Sequence, residues 1–303
     1  MSQKVLSSAS SQIEAREGTT FRRSQRRIRF RDMLFEGFLH VLLIIGAIIM
    51  AGPFLWMFLT SLKDTGQAFS IPITWIPNPF VWSNYSDSLT AMPFGLAYAN
   101  SAYISLTIVF FTLLTSSLAG YAFARIRFPG RSFLFGLFLA TLMIPFQLTI
   151  IPLFIIMRDL GWVDTHLALI VPASLFNAVG VFLMRQFIKS LPVELEEAAI
   201  VDGANRWTVF WRVVFPLLRA PLSALGIFTF IGQWNSFFYP LIFLSTPELF
   251  TVPMMLNQFR GQYAIQWTLV MAGSVIAVVP ILIVYLILQR QIIQGIATTG
   301  LKA

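Results

Sequence analysis

Six long apolar stretches constrain the fold of this sequence more than any other feature. They lie at residues 36–60, 100–124, 133–157, 167–187, 222–244 and 267–289. Each is long enough to cross the hydrocarbon core of a bilayer as a helix, which takes about 20 residues. Lipid offers no hydrogen-bond partner to an exposed backbone, so an isolated span satisfies its own polar groups only as a helix. The sequence therefore predicts an all-α integral membrane protein with six transmembrane helices.

Composition supports this fold class. Only 11% of the 303 residues are charged and 57% are hydrophobic, whereas a soluble domain carries about 25% charged residues. The spans predict a basic N-terminal segment at 1–35, a six-helix transmembrane domain at 36–290 and a C-terminal tail at 291–303. Inside the domain, a polar and amphipathic loop at 188–221 separates the fourth and fifth spans.

Basic residues are distributed unequally between the two sides of these spans. Of the 21 Lys and Arg residues, only Lys63, Arg158 and Arg260 fall on the side opposite the termini. Cytoplasmic loops carry an excess of Lys and Arg, so both termini and the 188–221 loop are expected in the cytoplasm. This bias also accounts for the formal charge of +8 without a nucleic-acid partner.

Several kinds of active site are excluded by composition. The chain has no cysteine and only two histidines, His40 and His166, far apart in sequence. Disulfides, a thiolate nucleophile and a Cys- or His-based metal site are therefore not expected. No Gly-x-x-x-x-Gly-Lys phosphate loop occurs, and no cluster of His, Asp or Ser near a membrane face suggests an enzyme. If ATP drives this protein, another chain binds the ATP.

The interior of the spans carries neutral rather than ionisable polar residues. Spans two to six contain no Asp, Glu, Lys, Arg or His well inside them, whereas proton-coupled carriers usually keep such groups there. Neutral amides and aromatic hydroxyls suit an uncharged, hydroxyl-rich solute, because they exchange hydrogen bonds without a buried charge. The candidate path residues are Gln147, Asn177, Gln233, Asn235 and Tyr239. Hydrogen bonding between helices is an alternative role for each of them.

Prolines recur in the spans. Each proline removes a backbone donor and is expected to bend its helix. They are Pro145, Pro152, Pro172, Pro240 and Pro280.

The 188–221 loop reads as two short helices joined at a glycine. Glu194, Glu196 and Glu197 follow Pro192 at the start of the first helix, where negative charge is stabilised by about 0.3–1 kcal/mol each. Gly203 ends that helix, and Asp202 is expected to cap the second one.

The second helix carries a stripe of large apolar side chains. Trp207, Phe210, Trp211 and Val214 recur at intervals of three, four and seven residues and so share one face. Such a stripe suits a groove on a partner protein. The alternative is that it packs against this protein's own helices or lies at the membrane surface.

A family resemblance rests on this loop and on strings along nearly the whole chain. Glu197-Ala198-Ala199, Gly203, Phe215 and Pro216 resemble the EAA motif of binding-protein-dependent ABC importer permeases. Val213 stands where isoleucine is more usual. Further similar strings are PFLWMFLTSLK at 53–63, YAFARIRFPGR at 121–131, IPFQLTIIPLF at 144–154, QWNSFFYPL at 233–241 and the terminal QGIATTGLKA. The EEAA form and the tail are similar to the carbohydrate, maltose-type subset.

The resemblance implies a type I ABC importer permease fold in a bacterial or archaeal cytoplasmic membrane. It implies a second permease, two ATPase subunits that hold the ATP and Mg²⁺, and an extracytoplasmic binding protein that delivers a sugar. This chain then needs no cofactor of its own. The resemblance assigns coupling to the ATPase to Glu197, Ala198, Ala199, Asp202, Gly203, Trp207, Phe210, Trp211 and Pro216.

Two other functions stay open at this point. Glycerol phosphate is an alternative solute, because relatives with similar tails carry it, although a phosphate favours basic path residues and the spans contain none. A secondary sugar carrier is the second alternative, and the missing intramembrane charges count against it.

Overall fold

The computed structural model describes residues 33–262 and 266–300, and every regular element in these ranges is helical. The all-α prediction is therefore confirmed. Residues 1–32 of the predicted N-terminal segment and residues 301–303 of the tail lie outside the described residues. In chain order the helices are α1 (Met33–Ser61), α2 (Thr65–Ala68), α3 (Ser83–Ala91), α4 (Phe94–Arg125), α5 (Arg131–Ala140), α6 (Phe146–Asp159), α7 (Leu167–Leu175), α8 (Ala178–Ser190), α9 (Glu194–Val201), α10 (Arg206–Leu217), α11 (Arg219–Trp234), α12 (Phe238–Phe243), α13 (Val252–Gln262) and α14 (Trp267–Gly300).

By its internal contacts the chain divides into two units, Met1–Phe58 and Leu59–Ala303. The described part of the first unit is a single helix, residues 33–58 of α1. Its side chains are exposed along almost the whole length, although the helix is strongly apolar. A helix that is apolar on all sides is stable only against lipid or another protein.

The described residues hold enough apolar helix for six membrane spans. Four stretches qualify as single spans by length and composition: Met33–Ser61, Phe94–Arg125, Leu167–Ser190 and Trp267–Ile287. Two further pairs of helices qualify when each bent pair counts as one span. One is α5 with α6, and the other is α10 with α11. The predicted number of spans equals this upper count, although the second pair covers 206–234 and the predicted fifth span is 222–244.

The third predicted span is broken near its middle. The helical stretch Arg131–Met143, which is α5 with one further turn, is bent by 103° from α6, and Pro145 stands immediately before α6. Proline has no backbone N–H and forces the preceding residue into an extended conformation, as Ile144 adopts here with φ −88° and ψ 115°. The bend expected at Pro145 is therefore present. The fifth predicted span is interrupted between α11 and α12, ahead of Pro240.

Helix α4 is the centre of the second unit, with α7, α8 and α11 packed along it. Small residues make the contact with α8 close. A Cβ added to Gly120 of α4 would lie 2.6 Å from Met184 Cβ of α8 and 3.0 Å from the Arg185 backbone nitrogen. Small residues at helix contacts let backbones approach in this way. The contact fixes α4 against the helix that leads into the EAA motif.

Two buried clusters fill this unit, one toward each end of α4. The cluster near the start of α4 contains Phe94, Trp234 and Phe243. The cluster near its end contains Tyr121 and Met184, together with side chains of α10. The segment that carries the EAA motif is therefore packed onto the membrane domain and is part of its core.

Candidate functional site

The EAA segment, residues 194–217, begins with the acidic helix α9. Glu194, Glu196 and Glu197 all lie in its first turn, as predicted. There they face unpaired backbone N–H groups and the positive end of the helix dipole. The three side chains have different surroundings, because Glu194 and Glu197 are exposed whereas Glu196 is only 3% exposed.

Two side chains at the C-terminal end of α4 hold Glu196. The guanidinium Nε of Arg125 donates to Glu196 Oε1 at 2.5 Å, and the Tyr121 hydroxyl donates to Oε2 at 3.2 Å. Arg125 also donates through Nη2 to the Leu191 carbonyl at 2.7 Å. A buried carboxylate needs such a cation and such hydrogen bonds to remain charged. Sequence reasoning missed this pair, since nothing local links two residues 71 positions apart.

Gly203 closes α9 in the left-handed conformation, with φ +87°. Its amide donates to the Ile200 carbonyl at 3.0 Å, and the next amide, that of Ala204, donates to Ala199 at 2.9 Å. These bonds satisfy carbonyls left free at the end of the helix, in the usual manner of a glycine that follows a C-cap. The prediction that a glycine breaks the segment here is confirmed.

The capping role predicted for Asp202 is wrong. Asp202 follows the last residue of α9 as its C-cap, and its side chain is exposed. The start of α10 is capped by Asn205, whose Oδ1 accepts from the Thr208 amide at 2.8 Å. Gly203 and Ala204 lengthen the turn, so the residue that precedes the first turn of α10 is Asn205.

The apolar stripe of α10 divides between the core and the surface. Trp207 is 61% exposed and Trp211 is half-buried, but Phe210 is only 1% exposed. Val214 is buried with Phe210 against the end of α4 and α8. The Phe210 ring fills this protein's own core beside Tyr121, so this part of the stripe packs against the protein's own helices. The coupling role of Phe210 stays a prediction.

Residues Phe210–Val214 form a π-helical turn inside α10. Such turns are rare and occur mostly as single bulges. The turn lies where the stripe passes from surface to core, and it brings the Trp211 ring within 4.9 Å of the Phe215 ring, measured between centroids.

An exposed surface remains on the EAA segment after these contacts are made. Glu197, Ala198, Asp202, Gly203 and Trp207 are exposed. Pro216 is exposed too, and Ala199 is half-buried. These are predicted coupling residues on two helices whose relative position is fixed by the Gly203 turn. The described side chains leave this patch free for another protein.

A cavity of 1040 Å³ opens between α4, the α5–α6 pair, α7 and the α11–α12 region. Its lining is mostly apolar and aromatic, with hydroxyl and amide groups and no Asp, Glu, Lys, Arg or His. Of the predicted path residues, the cavity brings together Gln233 and Tyr239. The Tyr239 ring lies 5.7 Å from the Phe146 ring, between centroids.

The other three predicted path residues do not line this cavity. Asn177 caps α8, accepting from the Gly180 amide at 2.7 Å. Asn235 donates to the Ile231 carbonyl of its own helix at 2.9 Å. Gln147 is exposed, near the start of α6. Both asparagines bond the local backbone, as a short amide at a helix terminus commonly does. Their contact with a solute stays a prediction.

The serine and threonine hydroxyls of the cavity were not among the predicted path residues. The polar lining includes Ser101, Ser105, Thr141, Thr149, Ser236 and Thr251. Serine and threonine are common at helix contacts in membranes, so only their convergence on one cavity distinguishes them. Periodicity along one helix does not reveal that convergence.

Near the start of α4, the stretch that precedes α13 is held by two other parts of the chain. The Asp164 carboxylate accepts the Ser245 and Thr246 amides at 2.8 and 2.9 Å and the Thr246 hydroxyl at 2.5 Å. The Thr246 hydroxyl and the two amides keep the pKa of the Asp164 carboxyl below its usual 3.8. Asn100 donates to the Glu248 carbonyl at 2.8 Å.

Residues 112–298 match the protein family described as the binding-protein-dependent transport system inner membrane component. The chain belongs to this family. The match includes the EAA segment and most of the cavity lining.

Permeases of solute importers are similar over most of their length. The arabinooligosaccharide transport permease of Halalkalibacterium halodurans is 36% identical, over 84% of this chain and 92% of that one. The sulfoquinovosyl glycerol transport permease of Agrobacterium fabrum is 33% identical, over 82% and 88%. The sn-glycerol-3-phosphate transport permease of Yersinia enterocolitica is 34% identical, over 86% and 95%.

A solved structure shares the fold. It is a chain of a bacterial ABC transporter involved in the import of the acidic polysaccharide alginate, with a TM-score of 0.76, 26% identity and coverage of 86% of this permease and 96% of that chain. The type I importer permease fold predicted from the sequence is confirmed. The protein is a multi-pass membrane permease, and the relatives it resembles are transport components and not enzymes. Within the described residues, no group of three or more His, Cys, Asp and Glu side chains could hold a metal ion.

Proposed function

We propose that this permease pairs with a second permease to form the path for a neutral mono- or oligosaccharide. A binding protein on the outer side delivers the sugar, and two ATPase subunits carry the ATP and Mg²⁺. The observation that carries the proposal is the 1040 Å³ cavity, whose lining joins aromatic rings to neutral hydroxyl and amide groups. Sugars present apolar ring faces and many hydroxyls, and this chemistry matches both features.

Coupling to the ATPase is assigned to the exposed patch of the EAA segment. Glu197 is available to a basic side chain, and Trp207 offers an apolar ring at the surface. The buried Glu196 links the patch to α4 through Arg125. A movement of the ATPase would thus be transmitted to α4, a membrane helix that lines the cavity. Near-rigid rotation of packed helices is a known form of conformational change in proteins.

A second candidate solute is glycerol 3-phosphate. The 34% identity with the Yersinia permease favours it. The cavity lining offers no cation for a phosphate, so this solute would need basic residues from the second permease. The neutral sugar therefore remains the first proposal.

The test begins with affinity purification of the tagged permease from native membranes and identification of the proteins that co-purify. A second permease and an ATPase are expected with the natural chain. The ATPase should be lost in Glu197→Arg and Gly203→Asp. The matched control is Glu248→Arg, an exposed glutamate at the other end of α4, which should retain it. Full ATPase recovery and full transport in both EAA variants would refute the coupling assignment.

The solute is tested with the binding protein that belongs to the same assembly. Calorimetric titration with neutral mono- and oligosaccharides should give saturable binding, and glycerol 3-phosphate should give none. Binding of the phosphate alone would replace the first proposal with the second. A permease that purifies only with itself, in detergents that preserve such complexes, would rule out both.

A further inference from the structure

The loop of residues 64–82, which connects α1 to α3, is ordered by polar bonds at its base. The Val81 amide donates to the Leu62 carbonyl at 2.9 Å, so the two ends of the loop meet where α1 ends. Asn84 donates to the Ser61 and Lys63 carbonyls at 2.8 Å each. Because α1 is an apolar span, its end marks a boundary between lipid and water.

The loop is also braced internally. The Gln67 side chain donates to the Asn78 carbonyl and accepts from the Asn78 amide. The Ser70 and Thr74 hydroxyls are 2.8 Å apart and share a hydrogen bond. These bonds satisfy polar groups within the loop, which lowers the cost of bringing it out of water.

Large apolar side chains point outward from this braced loop. Ile71 is 97% exposed. Half or more of the side-chain surface is also exposed at Phe69, Ile73, Trp75, Ile76, Phe80 and Trp82. Contiguous exposed apolar surface of this kind marks a contact with protein or with membrane.

The charge of the loop distinguishes a soluble protein from lipid as the partner of this surface. No charged residue occurs between Asp64 and Asp87. A surface that docks a soluble protein reversibly is about as polar as the rest of a protein surface and has a polar rim. Tryptophan is enriched at the level of lipid headgroups, and Trp75 and Trp82 are both exposed here. The loop therefore has the chemistry of a lipid interface.

We propose that the 64–82 loop is a membrane-interface anchor that inserts Ile71, Ile73 and Ile76 into the lipid leaflet opposite the EAA segment. The loop returns to the end of α1 at Leu62 and leads into α3, which packs against α14. Insertion at this point fixes the depth of α3 and of the start of α4 relative to the bilayer.

The absence of cysteine from the chain allows a direct test. Single cysteines replace Ile71, Ile76 and, as matched controls, the exposed Ser86 and Asp87 of α3. The full-length permease, with any cysteines of co-purified subunits replaced, is spin-labelled in nanodiscs of phosphatidylethanolamine and phosphatidylglycerol. Collision rates with oxygen and with a water-soluble nickel chelate are then measured by electron paramagnetic resonance.

Labels at Ile71→Cys and Ile76→Cys should show a several-fold higher ratio of oxygen to nickel collisions than labels at the two α3 controls. Equal ratios at all four positions would overturn the proposal. Nickel shielding that appears only when a soluble binding protein is added would also overturn it and assign the loop to that protein. A third site, Ile73→Cys, provides the same comparison if one substitution lowers the yield of folded permease.

Discussion

Arg125 and Glu196, one at the end of α4 and the other in the first turn of α9, form an ion pair whose Nε–Oε1 distance is 2.5 Å. The side chains are only 13% and 4% exposed. Removal of one partner from a buried pair leaves a charge without compensation and costs about 3–5 kcal/mol. We therefore expect Arg125→Met to lower the free energy of unfolding by about 3 kcal/mol, measured by chemical denaturation in detergent.

The control for this pair is Arg158→Met. Arg158 pairs with Asp159 at 2.9 Å, but both side chains are more than half exposed, and such pairs contribute about 0–1 kcal/mol. The double variant Arg125→Met/Glu196→Met should recover much of the lost stability, because no unpaired charge then remains. Equal losses for Arg125→Met and Arg158→Met would contradict the role given to the buried pair.

Gly203→Ala tests the left-handed turn of the EAA segment. Nothing lies within 4 Å of an added Cβ at this position, so any effect comes from the φ of +87° and not from a clash. The strain of a non-glycine residue in this region is of order 1–3 kcal/mol. Hydrogen exchange of the Gly203 and Ala204 amides should accelerate.

Gly136→Ala is the matched control for that substitution. Its Cβ also meets open space, but Gly136 lies inside α5. Alanine is favoured there over glycine by about 1 kcal/mol, so stability should rise or stay the same. If Gly203→Ala leaves the exchange of both amides unchanged, the turn does not depend on glycine.

Gly120→Ala tests the close contact between α4 and α8. The new methyl group would meet Met184 Cβ at 2.6 Å and backbone of the same helix at 3.0 Å. Backbone cannot rotate away, so the helices must separate, and overpacking of this kind costs about 1–3 kcal/mol. A lower midpoint of thermal unfolding is expected.

Gly226→Ala serves as the comparison for Gly120, because its Cβ would meet the Leu113 side chain at an ordinary 3.6 Å. Its unfolding midpoint should stay close to that of the natural chain. A similar midpoint for both variants would mean that α4 and α8 can move apart at little cost.

Asp164→Asn removes the carboxylate that holds the stretch before α13. The pKa of the Asp164 carboxyl is lowered in the folded protein from its usual 3.8. The carboxylate therefore stabilises the fold fully when the pH is above 3.8, and this contribution is lost as the pH falls through the lowered pKa. Protection of the Ser245 and Thr246 amides, corrected for intrinsic exchange, should therefore be constant between about pH 5 and pH 8. In Asp164→Asn the protection should fall over that whole range.

Asp159→Asn is the control for Asp164, since this exposed carboxylate is paired with its own neighbour Arg158. It should leave the protection of Ser245 and Thr246 unchanged. Protection that titrates between about pH 5 and pH 8 in the natural chain would contradict the assignment to Asp164.

The orientation of the permease is tested by single cysteines at two exposed positions. Asp202→Cys lies in the EAA segment, and Glu248→Cys lies at the other end of α4. The positive-inside bias of the sequence predicts that the EAA segment is in the cytoplasm, so a membrane-impermeant thiol reagent added to intact spheroplasts should modify only Glu248→Cys. Modification of Asp202→Cys alone would reverse the topology.

Features set by neighbours along the chain were predictable from the sequence. Length and hydropathy predicted the spans, and the acidic first turn of α9 and the break at Gly203 follow from helix-end chemistry. Pro145 predicted the bend between α5 and α6 for the same reason. Each depends on interactions within a few residues.

Features that depend on distant residues were not predictable. The partnership of Glu196 with Arg125 and the burial of Phe210 arise only when α9 and α10 pack against α4. The backbone bonds of Asn177 and Asn235 were not predicted, because an amide has two competing roles, and at these helix ends the local backbone is the nearer partner. Their contact with a solute stays a prediction. Hydroxyls such as Ser105 line the cavity without a distinguishing pattern.

The π-helical turn at Phe210–Val214 has a consequence for how this permease aligns with its relatives. A π bulge is one residue inserted into an α-helix and absorbed within a single wide turn, so the faces of the helix before and after it keep their directions. A relative that lacks one residue here can fold this stretch as plain α-helix and still present its equivalents of Trp207 and Pro216 on the same side. A single-residue gap between positions 210 and 214 is therefore compatible with an unchanged docking surface.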